Sequence, residues 1–508
     1  MNNMMLYLTT QTRIREMVVM LGVESSEYLI KDICENMALE RMFIFVPTKR
    51  LKEKIENVFL EGEYVSSFHR PVELQYVSRD SLERCVLSDE DSALIFDGVQ
   101  ESDEITNLKS INAQILIGNC DRNKVNPFLI WEEFRQTVED IYIVSWGDGE
   151  KILSWKKRPD SDIELSIIFP MYNIEKYLRQ CIKSVCEWKA EYVEFLFVDD
   201  GSPDHCSEIV QEYAKRDHRI KLLSKENGGC ASARQYGLDQ AKGRYIGFID
   251  PDDYIDPSMF RKLLSNAMIG NYEISYCGYN EYYEDTKTSC EVSDMLGEPY
   301  CNGISDPVKI NELISYLRVG IWRGIYSKEL IERGKIHFYT ELKRFDDLPF
   351  KVETLSKAKS VIALPEYLYF YRMSRPGQDV SADDERLYVH FDIFKHLDEY
   401  IGQSSDRRQI DYLQLVKVHT HAYALKKIRK EFFKKYCKMA QQDIRAGMNS
   451  STGRYVVGKL GGKRDKLLYI SLYHGWFAIV RMLCKEKKKV NKYNEVLMKI
   501  EKTITQLR

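Results

Sequence analysis

Residues 246–257 read IGFIDPDDYIDP, so three carboxylates, Asp250, Asp252 and Asp253, crowd the end of an apolar run. Acids this close oppose one another's ionisation unless a cation joins them. Hard oxygen ligands suit Mg2+ or Mn2+, which keep several waters and share their shell with a diphosphate. Three further polar clusters precede this one. FPMYN (169–173) offers Pro170, Tyr172 and Asn173; VDDGSPD (198–204) offers Asp199, Asp200 and Ser202; ENGGCASAR (226–234) offers Asn227, Gly228, Gly229 and Arg234. A carboxylate can accept a base N–H, an arginine presents a planar donor fork to carbonyl or phosphate oxygens, and paired glycines let backbone approach a ligand closely. One aspartate at a strand end is commonly a helix cap; four polar strand ends in series point to a nucleotide.

The elements that position these clusters follow from the apolar pattern. ELSIIFP (164–170), VEFLFVDDGS (193–202), IKLLSK (220–225) and RYIGFID (244–250) read as buried strands, and 177–189, 206–217 and 232–243 as the helices between them. Such a β-α-β series predicts a parallel sheet that binds ligands at the carboxyl ends of its strands.

The remaining chain divides around this unit. Residues 1–150 alternate strand-like runs (42–47, 73–77, 93–99, 113–118 and 141–146) with helical stretches at 25–40 and 126–140, which predicts a small α/β domain of unknown role, open to partner docking or oligomerisation. Asp97 reads there as a turn aspartate, and no Gly-rich phosphate loop follows any of those strands. The polar stretch 147–162 is the expected boundary. Residues 385–508 read as a mainly helical region. Residues 401–508 hold 25 Lys and Arg against 8 Asp and Glu, although the whole chain of 508 residues carries only −3. Charge segregated in this way suits a polyanion or an anionic membrane face, and the uncharged stretch 467–480 fits either an interfacial segment or a core helix. Twelve scattered cysteines without a CxxC pair predict reduced thiols rather than a disulfide scaffold or a zinc site. With no signal-peptide pattern and no apolar run near the ~20 residues a bilayer requires, a cytoplasmic protein is expected, peripheral to the membrane at most.

In their order and spacing, PMYN, VDDGSPD, ENGGCASARQYGLDQAKG and YIGFIDPDD resemble the family 2 glycosyltransferases of GT-A fold, and DPDD resembles that family's DxD element. The resemblance covers roughly 163–375 and implies an α/β GT-A domain at 163–384, between the small α/β domain and the helical basic region. It implies that Pro170 and Tyr172 line a base pocket beside Asn173, and that Asp200 contacts uracil with Asp199 at the ribose edge. Asn227 and Arg234 would help hold the nucleotide, Asp250 would stand near ribose and metal, Asp252 would ligate Mn2+ or Mg2+, and Asp253 would serve the turn. Downstream, Asp346-Asp347-Leu348 resembles the family's Glu-Asp pair, with Asp in place of Glu. Asp347 is therefore the expected general base and Asp346 the runner-up. YLYFYRMSRPGQDVS (367–381) resembles the family's loop over the diphosphate, which implies phosphate contacts from Arg372, Ser374 and Arg375.

The implied activity is inverting, metal-dependent transfer from a UDP-sugar to a hydroxyl of a bacterial surface glycan (capsule, exopolysaccharide or teichoic acid), with a glycan or lipid-linked acceptor as partner and no nucleic acid. A non-catalytic nucleotide- or sugar-binding subunit of a synthase complex is the alternative. A nucleotidyltransferase would need a glycine-rich basic signature after the first strand, which PMYN does not supply.

Overall fold

The computed structural model describes residues 16–21, 29, 33, 41–45, 50–53, 73–77, 92–99, 113–122, 124–146, 150–292, 294–373 and 382–484. Among them, Glu16–Leu21 (β1), Arg41–Phe45 (β2), Glu73–Val77 (β3), Ser92–Val99 (β4), Ile115–Asp121 (β5), Asp140–Trp146 (β6) and Lys151–Lys156 (β7) form one sheet in the order β3-β2-β1-β4-β5-β6-β7. It is parallel from β3 to β6 and closes with β7 antiparallel to β6. The expected boundary at 147–162 therefore contains a strand: β7 pairs with β6, and the first sheet runs on to Lys156. The aspartate expected in a turn, Asp97, is buried near the end of β4 and accepts a hydrogen bond from Asn119 Nδ2 at 2.7 Å.

The second sheet contains Leu165–Met171 (β8), Val193–Asp199 (β9), Ile220–Ser224 (β10), Tyr245–Phe248 (β11), Tyr254–Ile255 (β12), Ile274–Tyr283 (β13), Thr288–Val292 (β14), Gly324–Ser327 (β15) and Val361–Met373 (β16). Its order is β10-β9-β8-β11-β15-β13-β16-β12, with β14 paired to β13. β10, β9, β8 and β11 are mutually parallel, and β15 then runs antiparallel to β11. β9 is buried at every position, which fits its largely apolar sequence, and the buried Glu194 within it pairs with Lys221 at 2.6 Å. The two sheets share one core. Trp131, on the helix Pro127–Phe134 (α1), meets Tyr192 edge-on at 4.8 Å, and Trp155 of β7 donates to Glu164 at 2.9 Å.

Helices Glu175–Cys186 (α2), Cys206–Ala214 (α3) and Cys230–Gln240 (α4) connect the parallel strands. Met259–Met268 (α5), Pro307–Tyr316 (α6), Lys328–Gly334 (α7) and Asp347–Lys357 (α8) follow. Leu178, Ile182 and Val185 lie on the buried face of α2. The C-terminal region is helical as expected: Val389–Gly402 (α9), Arg408–Lys427 (α10), Lys430–Ala446 (α11), Ser450–Lys459 (α12), Lys463–His474 (α13) and Phe477–Cys484 (α14). The stretch 467–480 divides into α13 and α14 around Gly475, whose φ of 79° a glycine adopts without strain. Leu467, Leu468, Leu472 and Val480 face a core, whereas His474 and Ala478 at the bend are exposed. Among the described residues no helix is long and apolar enough to cross a membrane.

Candidate functional site

The strand ends of the second sheet bring the expected clusters to one edge. After β8, Tyr172 keeps 51% of its surface exposed and Asn173 turns the chain with φ 55°, its N–H donating to Ser202 Oγ at 3.3 Å. Pro170, within β8, is half-buried. After β9 the two aspartates divide their work. Asp199 accepts from Ser202 N at 3.0 Å and Ser207 Oγ at 2.5 Å, which fixes the turn into α3. Asp200 is buried and accepts from Lys225 Nζ at 2.7 Å, Gly228 N at 2.9 Å and Gly229 N at 2.7 Å. Asn227 donates to the Asp200 carbonyl at 2.9 Å. Asp200 and Asn227 thus lock the Gly-Gly segment, where Gly229 takes φ 90°, against the end of β9.

Asp250, Pro251, Asp252 and Asp253 follow β11. Asp253 is fully buried and accepts from Tyr369 Oη and Arg372 N, each at 2.7 Å, while Tyr369 Oη accepts from Asp250 N at 3.3 Å. Burial, with Asp252 and Asp250 nearby, pushes the Asp253 carboxyl well above the usual carboxylate range. Its place is behind the turn, in the supporting role expected of it. Arg372 stands elsewhere than the resemblance implied. Its guanidinium is buried and donates to Asp252 O at 2.8 Å and Gln180 Oε1 at 2.9 Å; it pairs with Glu284 and lies among the rings of Tyr177, Tyr254 and Tyr282. A guanidinium so committed braces the DPDD turn from within the protein. Ser374 and Arg375 lie outside the described residues.

Arg234, on α4, is the meeting point of the site. Its Nη2 donates to Asp250 Oδ1 at 2.5 Å, and its Nη1 donates to Asp346 Oδ2 at 2.7 Å and to Asp347. Arg234 was expected on the nucleotide; instead it holds the DPDD turn and the downstream acid pair together. Asp346 is buried, whereas the Asp347 side chain keeps 19% of its surface open. Burial, reinforced by Asp346 and Asp250 and opposed by Arg234, pushes the Asp347 carboxyl up to about 7. An acid poised near neutral pH with an open face is equipped to take a proton from a bound hydroxyl.

Tyr369, Lys225 and Lys343 were not anticipated. Lys343 Nζ donates to Gly228 O at 3.1 Å. Tyr369 is buried in β16 beside Leu368, whereas Tyr367 and Tyr371 are half-buried, so alternation in YLYFYRM does not single it out. Asp253→Ala is expected to leave the Arg372 N–H and the Tyr369 hydroxyl without their buried acceptor, lowering stability by about 2–4 kcal/mol in urea unfolding. An unchanged midpoint would contradict the bracing role.

The family profile described as Glycosyl transferase family 2 matches residues 166–316. The uncharacterised glycosyltransferase EpsJ of Bacillus subtilis (strain 168) is 36% identical over 212 residues, covering 41% of this chain and 60% of EpsJ. TuaG of the same organism, named for teichuronic acid biosynthesis, is 30% identical over 210 residues, covering 41% of this chain and 79% of TuaG. This chain spans about 60% of the length of the first curated relatives it matches. Among solved structures, residues 1–349 of S. aureus TarS in complex with UDP-GlcNAc match with a TM-score of 0.52 and 18% identity, over 63% of this chain and 90% of that one, a likeness of fold. With its parallel β10-β9-β8-β11 core and strand-end motifs, the chain belongs to glycosyltransferase family 2.

Proposed function

We propose that this protein transfers a sugar from a UDP-sugar to a hydroxyl of a growing bacterial surface glycan, inverting the anomeric carbon. The observation that carries the reading is the shared guanidinium: Arg234 ties Asp250, at the strand end suited to donor and metal, to Asp347, an acid raised to about 7. Half-exposed Tyr172 offers a face on which a base can stack. The complexes of TarS with UDP and UDP-GlcNAc favour a UDP-sugar as the donor class.

The acceptor hydroxyl attacks the anomeric carbon from the face opposite the nucleotide. A new C–O bond forms as the bond to the β-phosphate oxygen breaks, the electron pair leaves with UDP, and Asp347 takes the hydroxyl proton. Three carboxylates gathered on one guanidinium leave the strand end with excess negative charge. Among the described residues no cluster of three or more His, Cys, Asp or Glu stands ready for a metal. That donor set suits a hard cation held by one or two carboxylates, its shell completed by diphosphate and water. Asp252 and Asp250 would hold Mn2+ or Mg2+, which would supply neutralisation of charge on the departing diphosphate.

Residues 401–484 carry 17 Lys and Arg against 5 Asp and Glu, a balance suited to an anionic membrane face or a lipid-linked acceptor. Co-sedimentation with phosphatidylglycerol vesicles at low salt, reversed by high salt, is the expected result; no binding at low salt contradicts it. For the chemistry, a panel of UDP-sugars is incubated with Mn2+ or Mg2+ and slow hydrolysis is followed. Turnover is expected to rise with pH through about 7, as Asp347 loses its proton. Asp347→Asn should lower it by about 10²–10⁴-fold while UDP still binds. Tight UDP binding by the wild type without any turnover would point instead to a non-catalytic subunit.

A further inference from the structure

Phe345, directly before the acid pair, has φ 56°, a left-handed conformation that a residue with a Cβ adopts at a cost of about 1–2 kcal/mol. Its carbonyl accepts from Leu348 N at 3.2 Å, so the turn it makes is also the entry to α8. Asp346 returns to φ −66° and Asp347 is the first residue of the helix. The left-handed step is therefore what turns both acids onto Arg234.

Such strain persists only where surroundings over-determine it. Here the half-buried Phe345 side chain packs against two hydrophobic cores at once, that of the GT-A sheet and α8 and that of the C-terminal helices. Its ring lies 5.0 Å from the imidazole of His390, inclined at 51°. His390 is buried on α9, with Nδ1 3.1 Å from the Tyr436 hydroxyl, which also lies 3.0 Å from His421 Nδ1. His421 Nε2 meets Asp443 at 2.8 Å, and Lys417 binds Asp443 at 2.7 Å and Asp398 at 2.6 Å. This chain of largely buried polar contacts joins α9, α10 and α11 into one support, and Phe345 is a point where that support reaches the turn into the acid pair.

We infer that Phe345, wedged against His390, is a positioning residue through which the C-terminal helical region sets the orientation of Asp347 for proton transfer. The inference rests on the reading of Asp347 as the base. It gives the helical region a role in the chemistry beyond contact with an acceptor or a membrane. Phe345 itself touches no reacting atom, and its effect passes through the backbone of residues 345–347.

The test uses the full chain and the UDP-sugar of the panel that the wild type hydrolyses best. Phe345→Gly keeps the left-handed backbone available but removes the wedge; Phe345→Tyr keeps the ring; His390→Leu removes the imidazole behind it. Phe345→Gly and His390→Leu are expected to lower kcat about 10- to 100-fold, the scale of a misplaced catalytic group, with KM for the donor and calorimetric affinity for UDP within about twofold. Phe345→Tyr should restore kcat to near the wild-type value. Wild-type kcat in both Phe345→Gly and His390→Leu overturns the inference, as does a parallel loss of kcat and UDP affinity, which would mark a general loss of structure. If Phe345→Gly does not fold, His390→Leu and Phe345→Tyr decide by the same criteria. Turnover that survives Asp347→Asn, or its absence in the wild type across the whole panel, fails the base reading itself and takes the positioning role with it.

Discussion

The site depends on one buried ion cluster. Arg234 on α4 reaches Asp250 at the end of β11 and Asp346 and Asp347 at the start of α8, so a single guanidinium joins segments more than a hundred residues apart. Burying a guanidinium is costly unless its donors are met, and removing one partner of such a cluster typically costs about 3–5 kcal/mol because the others are left uncompensated. Three acids on one base also leave a charge imbalance directed at the strand end. On the proposed function, the same arrangement would orient Asp347 as proton acceptor and favour a cation beside Asp250 and Asp252.

Around that cluster the protein holds the strand ends from behind. Asp253, Tyr369 and Arg372 close a buried knot under the DPDD turn, and Asp200 ties the Gly228–Gly229 backbone to the end of β9. Each uses a carboxylate as an acceptor for backbone N–H groups, so the ligand-facing loops are fixed by the fold before a ligand arrives, the condition for preorganised electrostatics. Polar residues at strand ends thus differ in their commitments: Tyr172 keeps an exposed face, while Asp199, Asp200 and Asp253 are held by contacts within the protein.

Much of this edge was legible in the chain. Strands buried on both faces read as largely apolar runs, so β8, β9 and β11 and the polar clusters that end them stand out from local pattern alone. The bracing place of Asp253 agrees with the turn role that the resemblance implied. Partners remote in sequence were not legible. Nothing local in ENGGCASAR says that Arg234 will meet acids at 346 and 347, and a lone arginine beside glycines reads naturally as a phosphate donor. Arg372 misled for the same reason: the aromatic box of Tyr177, Tyr254 and Tyr282 is assembled from α2, β12 and β13. In the first sheet, β7 lies within a polar stretch whose composition is that of a linker, and β1 was not legible although Gly22 follows EMVVML.

The central claim is that Arg234 sets the geometry of both halves of the site, and the pH dependence of turnover in Arg234→Lys tests it most directly. A lysine is a point charge that cannot engage three carboxylates in the planar geometry of a guanidinium. The account predicts that the variant still folds, that its maximal turnover falls at least about tenfold, and that the pH at which turnover is half-maximal moves upward from about 7, because Asp347 loses part of the positive charge that favours its ionised form. A variant with wild-type turnover and an unmoved pH profile would contradict the account.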